Sequence, residues 1–154
     1  MNLNDVEILL VEDNDTDAEL IKFSLEKNNM AKNLIRLKDG EDALEFIFAT
    51  GKFEDIRDIT CPPKLILLDI GMPRVNGLEV LQKIKCMPLT RAIPVVILTS
   101  SKEDHDVQQC YNLGSNSYVV KPVNFKEFAD AIKEIAYYWL RVNHPVSLEK
   151  MYLI

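Results

Sequence analysis

Five short apolar runs, each rich in branched side chains, recur along the chain with longer amphipathic stretches between them. They are Glu7-Ile8-Leu9-Leu10-Val11, Asn33-Leu34-Ile35-Arg36-Leu37, Leu65-Ile66-Leu67-Leu68, Pro94-Val95-Val96-Ile97-Leu98 and Ser117-Tyr118-Val119-Val120. The first, third and fourth are apolar without alternation, the pattern of parallel strands covered by helices on both faces. Arg36 interrupts the second, which reads as an edge strand.

Helical periodicity fills the gaps, over about Asp15 to Asn29, Asp39 to Thr50, Asn76 to Cys86, Glu103 to Leu113 and Asn124 to Val142. In the last stretch Phe125, Phe128, Ile132, Ile135 and Trp139 form one apolar stripe that should face a core. Asn124 is suited to cap its start, and Gly114 to stop the helix before it. Five strands alternating with five helices predict an α/β fold, a doubly wound five-stranded parallel sheet. Right-handed crossovers give the strand order 2-1-3-4-5, with a crevice where the first and third strands end. The connection Gly51 to Lys64 is read as structural padding, with Phe53, Ile56 and Ile59 packing locally while its Asp and Arg side chains stay wet.

A chain of 154 residues, 47% of them hydrophobic, builds one domain with its own core. Its formal net charge of -6 argues against a nucleic-acid partner, which needs a basic face. The N-terminus lacks a secretory pattern and no apolar run reaches the length of a membrane span, so the expected location is cytoplasmic, with no membrane partner. Cys61, Cys86 and Cys110 read as inert thiols. His105, among acids at a helix start, reads as solvated or capping rather than phosphotransferring, and neither it nor His144 is expected near the crevice.

The acids matter because of where they fall. Glu12 and Asp13 directly follow the first strand and Asp69 the third, so the strand order brings three carboxylates into one space. Their repulsion requires a cation, and oxygen ligands without nearby His or Cys specify a hard divalent ion, magnesium. Thr99 and Lys121 end the fourth and fifth strands at the same sheet edge. Together they suit a phosphoryl group, whose oxygens the metal and the ammonium neutralise while a carboxylate attacks or holds it.

The chain resembles the receiver domains of two-component response regulators, with the flavodoxin-like fold of the chemotaxis regulator. The resemblance rests on Leu10-Val11-Glu12-Asp13-Asn14, on Leu67-Leu68-Asp69-Ile70-Gly71-Met72-Pro73 with Gly77 beyond it, on Leu98-Thr99-Ser100, and on Tyr118-Val119-Val120-Lys121-Pro122. It covers about residues 5 to 141 and implies that Asp69 accepts a phosphoryl group from a histidine kinase. It further implies that Asp13, Asp69 and the Gly71 carbonyl ligate Mg2+, with Glu12 acting directly or through water. Lys121 then contacts a phosphoryl oxygen, and the Lys121-Pro122 bond is expected to be cis. The same resemblance makes Thr99 and Tyr118 a switch, Thr99 moving to the phosphoryl oxygen and the Tyr118 ring turning into the vacated space. The resemblance also implies that Gly71 and Ser101, two positions beyond Asp69 and Thr99, stand where family members tune the lifetime of the phosphoryl group. The output surface is the fourth helix, fifth strand and fifth helix, about Glu103 to Arg141.

The expected organisation is one receiver domain over residues 1–141 and a short extension over 142–154, without an effector domain, so output goes through protein contact or onward transfer. Within the family the resemblance is closest to stand-alone regulators of phytochrome-like histidine kinases, which share the long connection before the third strand and an ending like Tyr137-Tyr138-Trp139-Leu140. With the apolar tail Met151-Tyr152-Leu153-Ile154, Tyr137 and Tyr138 offer a homodimer patch, or the tail packs on its own domain. Two rival readings remain: a flavodoxin-like cofactor binder, whose phosphate the acidic first loop would repel, and a magnesium-dependent phosphatase, whose second catalytic Asp is replaced by Gly71.

Overall fold

The computed structural model describes residues 1–72 and 74–148. Five strands, β1 (Ile8–Val11), β2 (Leu34–Leu37), β3 (Leu65–Leu68), β4 (Val95–Thr99) and β5 (Ser117–Val120), form one parallel sheet in the order β2-β1-β3-β4-β5. Helices α1 (Asp15–Lys27), α2 (Gly40–Phe48), α3 (Gly77–Cys86), α4 (Asp104–Asn112) and α5 (Phe125–Tyr137) follow the strands in turn. The expected order is observed, and so is the reason for it. Every residue of β1, β3 and β4 is buried, whereas β2 and β5 are half-buried edges.

Alternate side chains of the central strands feed two cores. Leu9, Val11, Ile66, Leu68, Val95 and Ile97 pack with Ala43, Phe46, Val80, Leu81 and Ile84 from α2 and α3. On the other face Ile8, Leu10, Leu65, Leu67, Val96 and Leu98 meet Ala18, Ile21, Leu25, Phe128, Ile132 and Ala136 from α1 and α5. The Ser24 hydroxyl, donating to the Ala129 carbonyl at 2.7 Å, ties those two helices together.

Four helices begin with a side-chain cap that sequence periodicity only partly reveals. Asn14, Asp39, Asn76 and Asn124 each accept from a backbone N–H in the first turn of the helix that follows. Glu103, before α4, caps nothing. The expected helix ends shorten where the chain turns left-handed, at Asn29 (φ 59°) after α1 and Ala49 (φ 54°) after α2. Gly114, at φ 103°, ends α4 as its sequence position predicted. Beyond α5 a π-helical turn, Tyr138–Val142, carries Trp139 onto the α1/α5 core.

Two expectations fail here. Phe125 is not a core residue: it is 56% exposed, and its ring lies 6.5 Å from that of the equally superficial Phe23, because the inward stripe of α5 runs through Phe128, Ile132 and Ala136. Nor does the Gly51 to Lys64 connection keep its arginine wet. Arg57 is 6% exposed while Ile56 lies open. The Arg57 guanidinium stacks 4.0 Å from the Phe46 ring centroid and donates to the carbonyls of Phe46 (2.7 Å), Leu3 (3.2 Å) and Cys61 (3.3 Å). It joins the N-terminus, the end of α2 and the long connection at one point, since carbonyls without ladder partners need donors.

Replacing Arg57 by Ala leaves those carbonyls unpartnered and opens a void beside Phe46, so Arg57→Ala is expected to cost about 2 to 4 kcal/mol. Urea unfolding with the slope unchanged checks this; a change under about 0.5 kcal/mol would show that the connection is padding after all.

Candidate functional site

The parallel register that aligns Val11 with Leu68 sets the residues after them side by side at one sheet edge. Glu12 is buried, Asp69 is 9% exposed and Asp13 is open to solvent. Carboxylate oxygens of the three lie within 4.8 Å of one another. Arg36, from the end of β2, donates from Nε to the Glu12 carbonyl at 2.9 Å and pairs with Asp15 at 2.8 Å, bracing the turn that carries Glu12 and Asp13.

Lys121 follows β5 and reaches across β4 into this cluster. Its ammonium donates to Glu12 Oε1, to Asp17 Oδ2 at 2.8 Å and to Asp69 Oδ2 at 3.4 Å. The expected cis bond before Pro122 is absent: among the described residues every peptide bond is trans. The four-carbon stem spans the gap without it, while Lys121 N–H, bonded to the Thr99 carbonyl at 2.7 Å, anchors its backbone. Asp17, in the first turn of α1, had no assigned partner in the sequence. Only the helical phase, which turns Asp15 outward to Arg36 and Asp17 inward to Lys121, could have found it.

The electrostatics follow from burial. Burial and the adjacent Asp69 push the Glu12 carboxyl up to about 8, although Lys121 opposes them. Burial also acts against the charged form of Asp69, but hydrogen bonding from Glu12 and from the Gly71 N–H (3.1 Å) and the charge of Lys121 outweigh it, holding the carboxyl below its usual range. Lys121 loses hydration too, yet its pairing with Asp17, Glu12 and Asp69 holds it firmly protonated. Glu12 Oε2 is buried with no donor facing it. It must carry a proton or meet a cation, and three converging carboxylate oxygens are the donor set of a hard divalent ion.

Two glycines let the backbones close around the site. A Cβ at Gly77 would lie 2.2 Å from the Asp69 carbonyl oxygen, and one at Gly40 would lie 2.0 Å from that of Val75. Gly71 is exposed, and a Cβ there would meet only Asp69 Oδ1, at 3.9 Å. Thr99 is buried at the end of β4, its Oγ1 facing the Ser101 N–H at 3.5 Å. The Tyr118 hydroxyl donates to the Ser101 carbonyl at 2.9 Å, and its ring is half-buried against the α2/α3 core. Thr99, Ser101 and Tyr118 thus form one linked chain at the start of the β4–α4 loop.

The remaining residues singled out lie elsewhere. His105 is exposed at the start of α4, and His144 borders a cleft of about 780 Å³ lined by Pro62, Pro94 and Trp139, beside the loops that lead into β3 and β4. The cysteines are free, Cys110 being buried and its thiol pushed up to about 11. Tyr137 and Tyr138 are exposed; Pro73 and the tail Met151 to Ile154 lie outside the described residues. No described helix is long and apolar enough to cross a membrane.

The sequence profile of the response regulator receiver domain matches residues 8–133. FilR2 of Methanothrix harundinacea, a probable methanogenesis regulatory protein, is 39% identical over 137 residues, 88% of this chain and 84% of its own length. Response regulator Rcp1 of Synechocystis is 38% identical over 133 residues, 86% of this chain and 88% of its own. The Mn2+-bound crystal structure of Rcp1 superposes with a TM-score of 0.82 at 37% identity, over 90% of this chain and 97% of that one. The phosphorylated cyanobacterial phytochrome response regulator RcpA does so with a TM-score of 0.83 at 33% identity, over 91% and 97%.

Because burial and Asp69 push the Glu12 carboxyl up to about 8 from the ordinary 4.5, the folded protein should hold a proton there that the unfolded chain releases. Stability without metal should therefore fall as pH rises from about 4.5 to 8, and a divalent cation should restore it at the upper end. At pH 7, metal binding should expel close to one proton. Calorimetric titration with Mg2+ in buffers of different ionisation enthalpy reads this directly; binding without proton release would remove Glu12 from the metal set.

Proposed function

The chain belongs to the family of response regulator receiver domains of two-component signalling, and we propose that Asp69 is the carboxylate that receives the phosphoryl group. The observation that carries this reading is the meeting of Asp69 with both Lys121 and the Glu12–Asp13 pair at one sheet edge. An Asp69 oxygen attacks the phosphorus of a phosphohistidine. A phosphorus–oxygen bond forms, the phosphorus–nitrogen bond breaks, and the imidazole leaves with the electron pair and takes up a proton. Water later cleaves the acyl phosphate and regenerates the carboxylate.

Asp13, Asp69, the Gly71 carbonyl and Glu12 are the residues that would hold Mg2+. When bound, that ion supplies the charge that lets an anionic nucleophile approach an anionic phosphoryl group. The Mn2+ form of Rcp1 supports a divalent ion of this class. Lys121 neutralises a second phosphoryl oxygen and needs no change of protonation, since its neighbours keep it charged.

The switch proposed for this chain runs from Thr99 through Ser101 to Tyr118. Drawing the Thr99 hydroxyl toward a phosphoryl oxygen moves the loop that carries the Ser101 carbonyl, to which Tyr118 is tied. The ring is already half-buried, so the signal is read as release and repacking of this link rather than entry of a fully exposed ring. Output then leaves through α4, β5 and α5, by contact with a protein target or with a second copy at Tyr137 and Tyr138. The donor is a histidine kinase of the phytochrome class, by analogy with RcpA, and the exchange takes place in the cytoplasm. In this reading, domain 1–141 works as a phosphoacceptor rather than a substrate-turnover enzyme.

Incubation with acetyl phosphate and Mg2+ should add one phosphoryl group by intact mass to the wild type and none to Asp69→Asn. Equal labelling of the two would overturn the assignment, and steady turnover of phosphomonoesters would favour a phosphatase.

A further inference from the structure

The Lys121 ammonium has three N–H donors, and three carboxylates take them: Glu12, Asp17 at 2.8 Å and Asp69 at 3.4 Å. Two of these acids have a second task. Glu12 and Asp69 converge with Asp13 on one metal-sized space, whereas Asp17 lies outside that group. The only side-chain ion pair of Asp17 among the described residues is with Lys121. Its backbone is fixed, because Asn14 Oδ1 accepts from the Asp17 N–H at 2.9 Å and so locks the first turn of α1.

We propose that Asp17 is the positioning residue of Lys121, holding its ammonium over the Asp69 oxygens for the incoming phosphoryl group. This inference rests on the receiver reading above. Of the three partners, Asp69 exchanges its contact with the lysine for that of a phosphoryl oxygen, and Glu12 turns to the cation. Asp17 alone keeps the same contact before and after transfer. Without it the ammonium, on a flexible stem, follows whichever acid or solvent site is free, and orientation is lost at the moment the phosphoryl group arrives. An acid that competed for the lysine instead would make phosphorylation slower in the wild type than in its absence, the opposite sign.

Acetyl phosphate labelling rates at fixed Mg2+ and beryllofluoride affinities by calorimetry, measured for Asp17→Asn, Asp17→Glu, Lys121→Gln and the Asp17→Asn/Lys121→Gln pair, test this. Losing one charge-assisted contact, Asp17→Asn should slow labelling and weaken beryllofluoride binding by about tenfold. Asp17→Glu should recover most of the loss, which also covers the case in which the Asn variant folds poorly. In the Lys121→Gln background, Asp17→Asn should change beryllofluoride affinity less than about twofold, since its effect passes through the lysine. Labelling of Asp17→Asn at or above the wild-type rate overturns the proposal, as does a loss undiminished without the lysine. If wild type and Asp69→Asn behave alike, the receiver reading itself fails, and this proposal with it.

Discussion

One ammonium group surrounded by carboxylates at the end of a parallel sheet is the constraint on which the rest of the structure depends. Glu12 and Asp69 are both buried, and burying ionisable groups costs more than pairing returns unless geometry is tight, which is why Glu12 is pushed toward its protonated form. The fold spends stability here. Hydrophobic side chains of equal volume in place of buried ion pairs are often as stable or more so, which supports reading the arrangement as a site. Its tolerance comes from the plate beneath it: β1, β3 and β4 are buried on both faces by two separate cores, which leaves the strand ends little freedom to separate under repulsion.

That dependence explains why the fold was so legible. Unbroken apolar runs admit few arrangements other than a covered parallel sheet, and once the order is 2-1-3-4-5 the residues after the first and third runs must be neighbours. Glu12, Asp13 and Asp69 could be grouped before any coordinate was known, and so could Lys121. What stayed hidden depends on phase and on local carbonyl satisfaction, which no spacing reports. Asp15 and Asp17 look equivalent in the sequence, yet the helix turns one toward Arg36 and the other toward Lys121. Arg57 lies in an irregular connection and is buried only because three carbonyls from separate segments meet there. Lys85 is similar: its ammonium donates to the Arg91 and Ile93 carbonyls and to Asn116 Oδ1, and burial drops it to about 8, though nothing in the pattern of α3 distinguishes it from Lys83.

The same contrast separates the firmly held half of the molecule from the half that is held less firmly. Helices α1, α2, α3 and α5 start on side-chain caps, and α1 is bonded to α5. Helix α4 has no side-chain cap, buries only Cys110 and lies against β5, an edge strand that is half-buried throughout. A missing cap and a small buried face both lower the cost of local rearrangement. The Tyr118 N–H, facing the open side of β5, is met by the Tyr111 hydroxyl of α4 at 3.2 Å, a contact that a small helix shift would break.

A switch needs a local charge change and an element close to balance between two arrangements. On the proposed reading the first would occur where the sheet is stiffest, because only a stiff frame keeps buried acids crowded together. The second has to lie where the sheet is softest, since a fully packed core does not rearrange in small steps. In this chain the distance between the two is short: Thr99 is the last residue of a buried strand, and Ser101, two residues on, already holds Tyr118 of the edge strand. The boundary between rigid and yielding structure therefore runs through the β4–α4 loop. On the proposed reading, it is that placement, more than any single residue in the acidic cluster, that would give a change at Asp69 a route to the α4–β5 surface.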